Sequence, residues 1–223
     1  MQKYDSPAPV TVALDVPAGR IRFIAADRSD TTVEVLPADA SKGRDVKAAE
    51  QIEVAYGDGV LRIEHSAARN RVLGPSGGHV EVTVQLPVGS RIEAKAADAE
   101  FRGVGRLGDV AFEGARATVK IDEAEGVRLT VLAGDISVGR LRGTAEISTR
   151  KGDLHIAEAL HGTVTLRTEQ GGISVGAAPG VSASLDAGTG YGRIHNSLRN
   201  TDGTAALNIH ATTAYGDITA RSL

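Results

Sequence analysis

The chain of 223 residues contains no cysteine and no tryptophan, and its aromatic residues are three phenylalanines and four tyrosines. Without cysteine, neither a disulfide framework nor a thiolate metal site can form. The formal net charge of −3 lacks the basic excess that sequence-independent nucleic-acid binding requires. It also lacks the basic cluster of an electrostatic membrane anchor. These absences exclude several common classes of binding protein.

Long apolar segments are missing as well. No apolar run approaches the roughly 18 residues of a membrane-spanning helix, and the start from Met1 to Pro7 has no apolar core and no small-residue cleavage site of a signal peptide. If Met1 is the native start, we expect a cytoplasmic protein. The alternative is the cell surface or secretion, if a signal segment was removed.

What the chain does contain is a short pattern that recurs seven times after Ile92, with a period of about 18–19 residues. An apolar residue is followed by a small pair and then by two apolar residues on alternate positions. The clearest copies end in Gly134-Asp135-Ile136-Ser137-Val138, Gly152-Asp153-Leu154-His155-Ile156 and Gly171-Gly172-Ile173-Ser174-Val175. Such a period with internal alternation is typical of a β-solenoid.

Three apolar columns describe the repeat. We align them as Ile92, Val110, Leu129, Ile147, Leu166, Leu185 and Ile209; Ala99, Ala117, Ile136, Leu154, Ile173, Ile194 and Ile218; and Phe101, Val119, Val138, Ile156, Val175, Asn196 and Ala220. The predicted fold is therefore all-β, a parallel β-solenoid (β-helix) of about seven short coils over residues 89–223. Whether each coil has two or three strands stays open.

Residues 1–88 predict an N-terminal β region that caps the solenoid. Alternating apolar residues are separated there by turn signals, and Tyr56-Gly57-Asp58-Gly59 is typical of a hairpin loop. The polar stretch from Ala38 to Glu50 is expected to hold one short helical turn. The stretch from Ser66 to Gly78 is expected to be a mobile loop, with Arg69 and Arg71 in solvent.

A family resemblance sharpens the fold. The corner Leu86-Pro87-Val88-Gly89, followed by repeated Gly-Asp-[Ile/Leu]-x-[Val/Ile], resembles the bacterial β-strand-repeat family described as putative adhesins, a domain of unknown function. The resemblance covers nearly the whole chain. It implies an N-terminal β region leading into a right-handed β-solenoid, and it brings no catalytic residues with it.

Repeated acidic residues suggest a calcium site first. The candidates are Asp98, Asp109, Asp135, Asp153 and Asp217. Calcium-binding nonapeptide repeats carry several Gly and Asp residues within nine positions, and that spacing is absent. We therefore expect aspartates that cap their own turns, and no bound metal.

Histidine does not indicate a zinc site. Of His65, His79, His155, His161, His195 and His210, two share the outer column of the repeat. His155 and His195 are expected two coils apart, roughly 9.6 Å from the strand spacing. That separation is too long for one zinc ion, whose ligands lie at about 2 Å. We expect these histidines to be solvated, and we predict no cofactor.

The catalytic alternative is a polysaccharide-active enzyme, which needs two carboxylates about 5–9.5 Å apart in a cleft. The acidic corner Asp122-Glu123-Ala124-Glu125 is the nearest match. Adjacent acids at a corner are typical of a solvated turn, and no aromatic cluster accompanies them. We predict that the protein is not an enzyme and has no catalytic residues.

The predicted function is therefore a non-enzymatic scaffold or a protein-interaction, adhesin-like protein. Because the repeat runs to the last residues, we expect the final strand to present an edge at Ile218, Ala220 and Leu223. This edge either pairs with another copy of the chain or is shielded by Leu223 and the longer last coils. The alternative is a carbohydrate- or protein-binding module that uses a lateral face or the loops at Ser66–Gly78 and Asn196–Thr204.

Overall fold

The computed structural model describes residues 1–66, 78–200 and 203–223 of the chain. The described part is all-β with one short helix, as predicted. In chain order the elements are β1 (Gln2–Asp5), β2 (Thr11–Ala26), β3 (Asp30–Pro37), α1 (Gly43–Glu50), β4 (Ile52–Gly57), β5 (Val60–His65), β6 (Val80–Pro87), β7 (Arg91–Ala133), β8 (Ile136–Leu141), β9 (Ala145–Lys151), β10 (Leu154–Ala159), β11 (Gly162–Gln170), β12 (Ile173–Ala177), β13 (Ala183–Tyr191), β14 (Ile194–Ser197), β15 (Leu207–Tyr215) and β16 (Ile218–Ser222).

The chain divides into two compact units, Met1–Ala117 and Thr118–Leu223, and β7 runs through the boundary. In the first unit, β2 pairs in parallel with β5, β6 and the start of β7. β3 pairs antiparallel with β1 and β6. β4 and β5 form an antiparallel hairpin at the predicted loop. The helix α1 lies within the stretch predicted to hold a helical turn.

Three phenylalanines fill the core of the first unit. Phe23, Phe101 and Phe112 are buried, and their neighbouring ring centroids are 5.5 and 5.2 Å apart. Most of the other buried side chains in this unit are Val, Ile, Leu and Ala. A chain so poor in aromatic residues thus places nearly half of them in one packed cluster, where burial of large rings contributes most.

In the second unit all described pairings are parallel, and they form a β-solenoid-like repeat. One ladder runs β7–β9–β11–β15–β13 and the other β7–β8–β10–β12–β16–β14. Each coil therefore contributes one strand to each ladder. The interior is lined by aliphatic side chains that alternate with outward polar residues, as parallel stacking with a period of two requires.

The coils do not stack in chain order. The last coil, β15–β16, lies between β11–β12 and β13–β14. The prediction that Ile218, Ala220 and Leu223 form a free edge is therefore wrong for the strand that carries them. Ile218 and Ala220 are each 1 % exposed, because β16 has a paired strand on both sides. Leu223, at 48 % exposure, follows the end of that strand.

The predicted columns are also partly out of register. Ile136, Leu154 and Ile173 are aligned correctly, but Ile136 lies beside Val119 rather than Ala117, and Leu166 lies beside Ala211 rather than Leu185. The first error is a shift of two residues. Such a shift keeps every apolar side chain on the inner face, so the alternation alone cannot detect it.

Within residues 1–66, 78–200 and 203–223, the structure has no helix with the length and apolar character needed to cross a bilayer. Most of the loop Ser66–Gly78, with Arg69 and Arg71, lies outside the described residues, as do Thr201 and Asp202 in the stretch Asn196–Thr204.

Candidate functional site

The repeated aspartates join one coil to the next. The Asp135 carboxylate accepts the backbone N–H of Asp153 at 2.8 Å, and the Asp153 carboxylate accepts that of Gly172 at 2.7 Å. A hydrogen bond to a charged acceptor is stronger than a neutral one. We predicted that each aspartate caps its own turn. This is wrong for Asp135 and Asp153, because each carboxylate bonds to a backbone N–H of the neighbouring coil.

At three of the corners a threonine makes the complementary contact. The hydroxyl groups of Thr168, Thr213 and Thr189 donate to the carbonyl oxygens of Gly152, Gly171 and Gly216 at 3.1, 3.0 and 3.0 Å. Each of these threonines stands four residues before the Asp position of its own coil. This threonine column was not predicted, although its fixed spacing before the Gly-Asp pair is visible in the sequence.

Two coils of the second unit have no aspartate at this position. The inner coil β11–β12 has Gly172 there, and β13–β14, at the end of the stack, has Arg193. Its backbone N–H donates to Asp217 at 2.8 Å, and its guanidinium donates to the same carboxylate at 2.9 Å. The N–H and then the guanidinium of Arg193 lower the pKa of Asp217. The terminal corner therefore offers no carboxylate to a further coil.

We predict that β14 loosens in acid. Because the folded-state pKa of Asp217 lies below its ordinary value of 3.8, its contribution is present above that value and is lost as the pH falls through the lower, folded-state pKa. Hydrogen exchange at pH 7 and at about pH 2, expressed as a protection factor relative to the intrinsic exchange rate at each pH, should show weaker protection of the Arg193 amide in acid. In Asp217→Asn, which has no carboxylate to protonate, the protection factor of this amide should be low at both pH values. An acid response that persists in this variant would contradict the assignment.

The remaining candidate aspartates are tied to arginines. Asp98 accepts from Arg116, and Asp109 lies 3.8 Å from Arg91. Similar ion pairs join neighbouring coils along the sides of the molecule: Lys95–Glu113, Arg128–Glu146, Arg140–Glu158 and Arg150–Glu169. Because these charges are exposed, each pair contributes little to stability. They nevertheless pair many charged side chains of the lateral surface with one another.

The acidic corner proposed for catalysis is held by one arginine. Arg142 lies 3.2 Å from both Glu123 and Glu125, through Nη1 and Nε respectively. Asp122, the third acid of this corner, also has a partner. The arrangement is a cross-coil ion-pair cluster, which offers no unpaired acid and base to a substrate.

The histidines lie apart. His155 faces Ser137 and Ser174, and His195 faces Thr219. Three strand spacings separate the two histidines in the ladder β10–β12–β16–β14, or roughly 14 Å, instead of the two that we predicted. In the part of the chain that the structure describes, no three His, Asp or Glu side chains are grouped so that they could hold a metal ion.

A polar cleft in the first unit is internally paired. It lies beside α1, β2 and β7, and its lining includes Arg20, Asp39, Lys42 and Asp45. Lys42 lies 3.1 Å from Asp39, and the buried Asp45 accepts the backbone N–H of His79 at 3.0 Å. Hydrogen bonds from Ser41, and then from Lys42, lower the pKa of Asp39 to about 2. The protein itself therefore satisfies these groups.

The open coil, which we define as β13–β14, is the strongest candidate for an interaction site. Among the described residues β13 pairs only with β15, and β14 only with β16. Each strand thus has one edge without a strand partner. Ile194 is 44 % exposed, whereas Ile218 beside it is buried. An unpaired edge with exposed apolar groups is a ready template for another strand.

Two stacked tyrosines stand at the corner of this coil. The rings of Tyr191 and Tyr215 have centroids 5.1 Å apart and planes within 4° of parallel. Tyr191 is 72 % exposed and Tyr215 is 56 % exposed. Because Tyr191 belongs to the terminal coil, it adds a large, rigid apolar surface to the open coil.

Comparison with known proteins places the chain in a family. Residues 9–221 match the family model described as Toastrack DUF4097, so the chain belongs to that family. No curated protein matches it.

Solved structures that resemble the chain come from several bacteria. One is described as a putative cell adhesion protein from Clostridium sporogenes, with 11 % identity, coverage of 100 % of this chain and 98 % of that chain, and a TM-score of 0.41. Putative adhesins from Bacteroides fragilis and Parabacteroides distasonis have 10 % and 15 % identity and TM-scores of 0.46 and 0.47, each covering 98 % of this chain and 95 % of that chain.

Proposed function

We propose that this member of the Toastrack DUF4097 family is a non-enzymatic, adhesin-like interaction scaffold whose open coil accepts an extended strand of a protein partner. Residues 89–223 would form a right-handed solenoid of about seven coils, and residues 1–88 its cap. The capping role is supported by β2, which pairs in register with Arg91–Val104. The right hand is the rule for parallel strands joined by crossover connections.

The edge of β13 that faces away from β15 carries the proposal, because no other strand of the described ranges pairs with it. Leu207 donates its N–H to the carbonyl of Ser182 at 3.2 Å. In a parallel pair, alternate residues direct their backbone groups to the same neighbour. Ser184, Asp186 and Gly188 therefore bond to β15, whereas Leu185 and Ala187 direct their N–H and C=O groups away from it, where a partner strand can pair.

One end of this edge is already covered. Arg199 accepts the backbone N–H of Ala183 at 3.0 Å, and Asn200 accepts the hydroxyl of Ser182 at 2.8 Å. The segment after β14 therefore lies along the start of β13. The edge available for strand addition runs from Leu185 to Thr189.

The side chains of the open coil suit such a partner. Leu185 is half-buried, Ile194 is largely exposed, and the Tyr191 ring has a free face. In strand addition, main-chain hydrogen bonds supply affinity and alternate side-chain contacts supply specificity. The charged side chains of the lateral surface, in contrast, form ion pairs with one another. Few of them are therefore free to act in catalysis or to bind a charged ligand.

The test uses the sequence of the strand that pairs with the opposite edge of β13 in the fold. A fluorescent peptide with the sequence of β15, Leu207–Tyr215, is titrated with the full chain. We expect binding that protects the amides of Leu185 and Ala187 from hydrogen exchange. Ala187→Pro removes one outward N–H, so it should weaken binding about tenfold, the effect of losing roughly one hydrogen bond.

Ala187→Val is the matched control, because it changes the side chain and keeps the N–H. It should bind within about twofold of the unmodified chain. A peptide that merely displaced β15 would be insensitive to the outward N–H of Ala187. Equal affinities of the Pro and Val variants, or absence of protection at Leu185 and Ala187, would refute strand addition at this edge.

A further inference from the structure

The β13 edge carries little of the charge that normally guards an exposed strand. Its nine residues include one charged side chain, Asp186, and two glycines, Gly188 and Gly190. Charged side chains are a common means by which proteins prevent edge-to-edge pairing. Strand β1, which among the described residues also pairs along one edge only, is better protected. It carries two charged side chains, Lys3 and Asp5, within four residues.

The sequence of this edge is also complementary to itself. In an antiparallel pair with Ala187 opposite the Ala187 of another copy, Leu185 faces Thr189 and Asp186 faces Gly188. The two Asp186 side chains therefore avoid each other. A Cβ built on Gly188 has no heavy atom within 4 Å, so the position opposite Asp186 has room for a side chain.

The corner at Arg193 supplies no carboxylate to a further coil, because its guanidinium turns back to Asp217. Parallel stacking does not require that contact, since β15–β16 pairs with β11–β12 although Gly172 holds the Asp position there. Closure instead follows from symmetry, because a pair related by a two-fold axis uses the β13 edge of both copies and closes upon itself.

We infer that the partner strand is β13 of a second copy of this chain, paired antiparallel about a two-fold axis at Ala187. This inference rests on the proposed function, since it uses the same edge from Leu185 to Thr189. The main-chain groups of Leu185, Ala187 and Thr189 pair reciprocally across the axis. Because the shared edge is short, the dimer is of the weak, reversible class.

The register predicts opposite effects of two charges at one position. Gly188→Asp puts a carboxylate opposite Asp186 of the other copy, and Gly188→Lys puts an ammonium there. Both substitutions occupy open space in the single copy. Light scattering from about 1 µM to about 1 mM should show that Gly188→Asp weakens the dimer about fivefold and Gly188→Lys tightens it about fivefold, from two symmetric cross-strand pairs.

The outcomes separate this inference from the proposed function. A concentration-dependent dimer with opposite shifts in the two variants supports it. A strict monomer throughout the series overturns it, and the β15-peptide binding then decides the proposed function on its own. A dimer that ignores both charges, or that both charges weaken equally, also overturns it, because the two chains then do not meet in this register.

Discussion

Gly216→Ala is expected to destabilise the unit Thr118–Leu223 by about 4 kcal/mol, through backbone strain and overpacking of about 1–3 kcal/mol each. Gly216 has φ +151°, which L side chains rarely adopt. A Cβ there would lie 2.0 Å from the carbonyl oxygen of Gly171. The obstacle is backbone of the neighbouring coil, so no side-chain rotation relieves it.

Gly188→Ala is the control. Gly188 belongs to the adjacent strand of the same stack, but its added methyl group would meet no atom within 4 Å. We expect this variant to change the free energy of unfolding by less than about 1 kcal/mol. Urea denaturation followed by circular dichroism measures both variants. Comparable losses would show that the close approach of the coils at Gly216 does not constrain the fold.

The close approach of neighbouring coils also explains why the repeat can be recognised in the sequence. Every inner coil of the second unit needs a residue without a side chain at this corner, as at Gly152, Gly171 and Gly216. The Gly-Asp pair is therefore imposed by coil spacing and by the carboxylate that bonds the next coil. The all-β fold and the parallel repeat were predictable because these contacts recur with the sequence period.

The order of the coils was not predictable by the same route. The coil with Thr189 and Gly192 and the coil with Thr213 and Gly216 carry the same corner contacts. These threonine and glycine positions thus do not distinguish which of the two coils is terminal. The longer connection from Ser197 to Leu207 permits the last coil to return into the stack, but its length alone does not show that it does so.

The open coil was missed for that reason. The open edge was predicted at the last strand in the chain, whereas it lies at the coil that precedes this strand in sequence. The corner residue does not identify the terminal coil either. Arg193 replaces the aspartate there, but Gly172 replaces it in β11–β12, which lies inside the stack.

The order of the coils predicts unequal costs for one substitution at two equivalent positions. Ile218 and Ile194 are direct partners in the ladder, yet Ile218 is 1 % exposed and Ile194 is 44 % exposed. Ile218→Ala should cost about 3 kcal/mol, within the usual range for deleting a buried aliphatic group, and Ile194→Ala about 1 kcal/mol or less. Urea denaturation of both variants gives the comparison.

The two variants change the same atoms in the same column, so their difference isolates position in the stack. Ile218→Ala should also speed hydrogen exchange in both β12 and β14, because β16 is hydrogen-bonded between them. Ile194→Ala should affect β14 alone. If Ile194→Ala proved the more costly, β14 would be the inner strand and β16 the terminal one, and the open edge would return to Ile218 and Ala220.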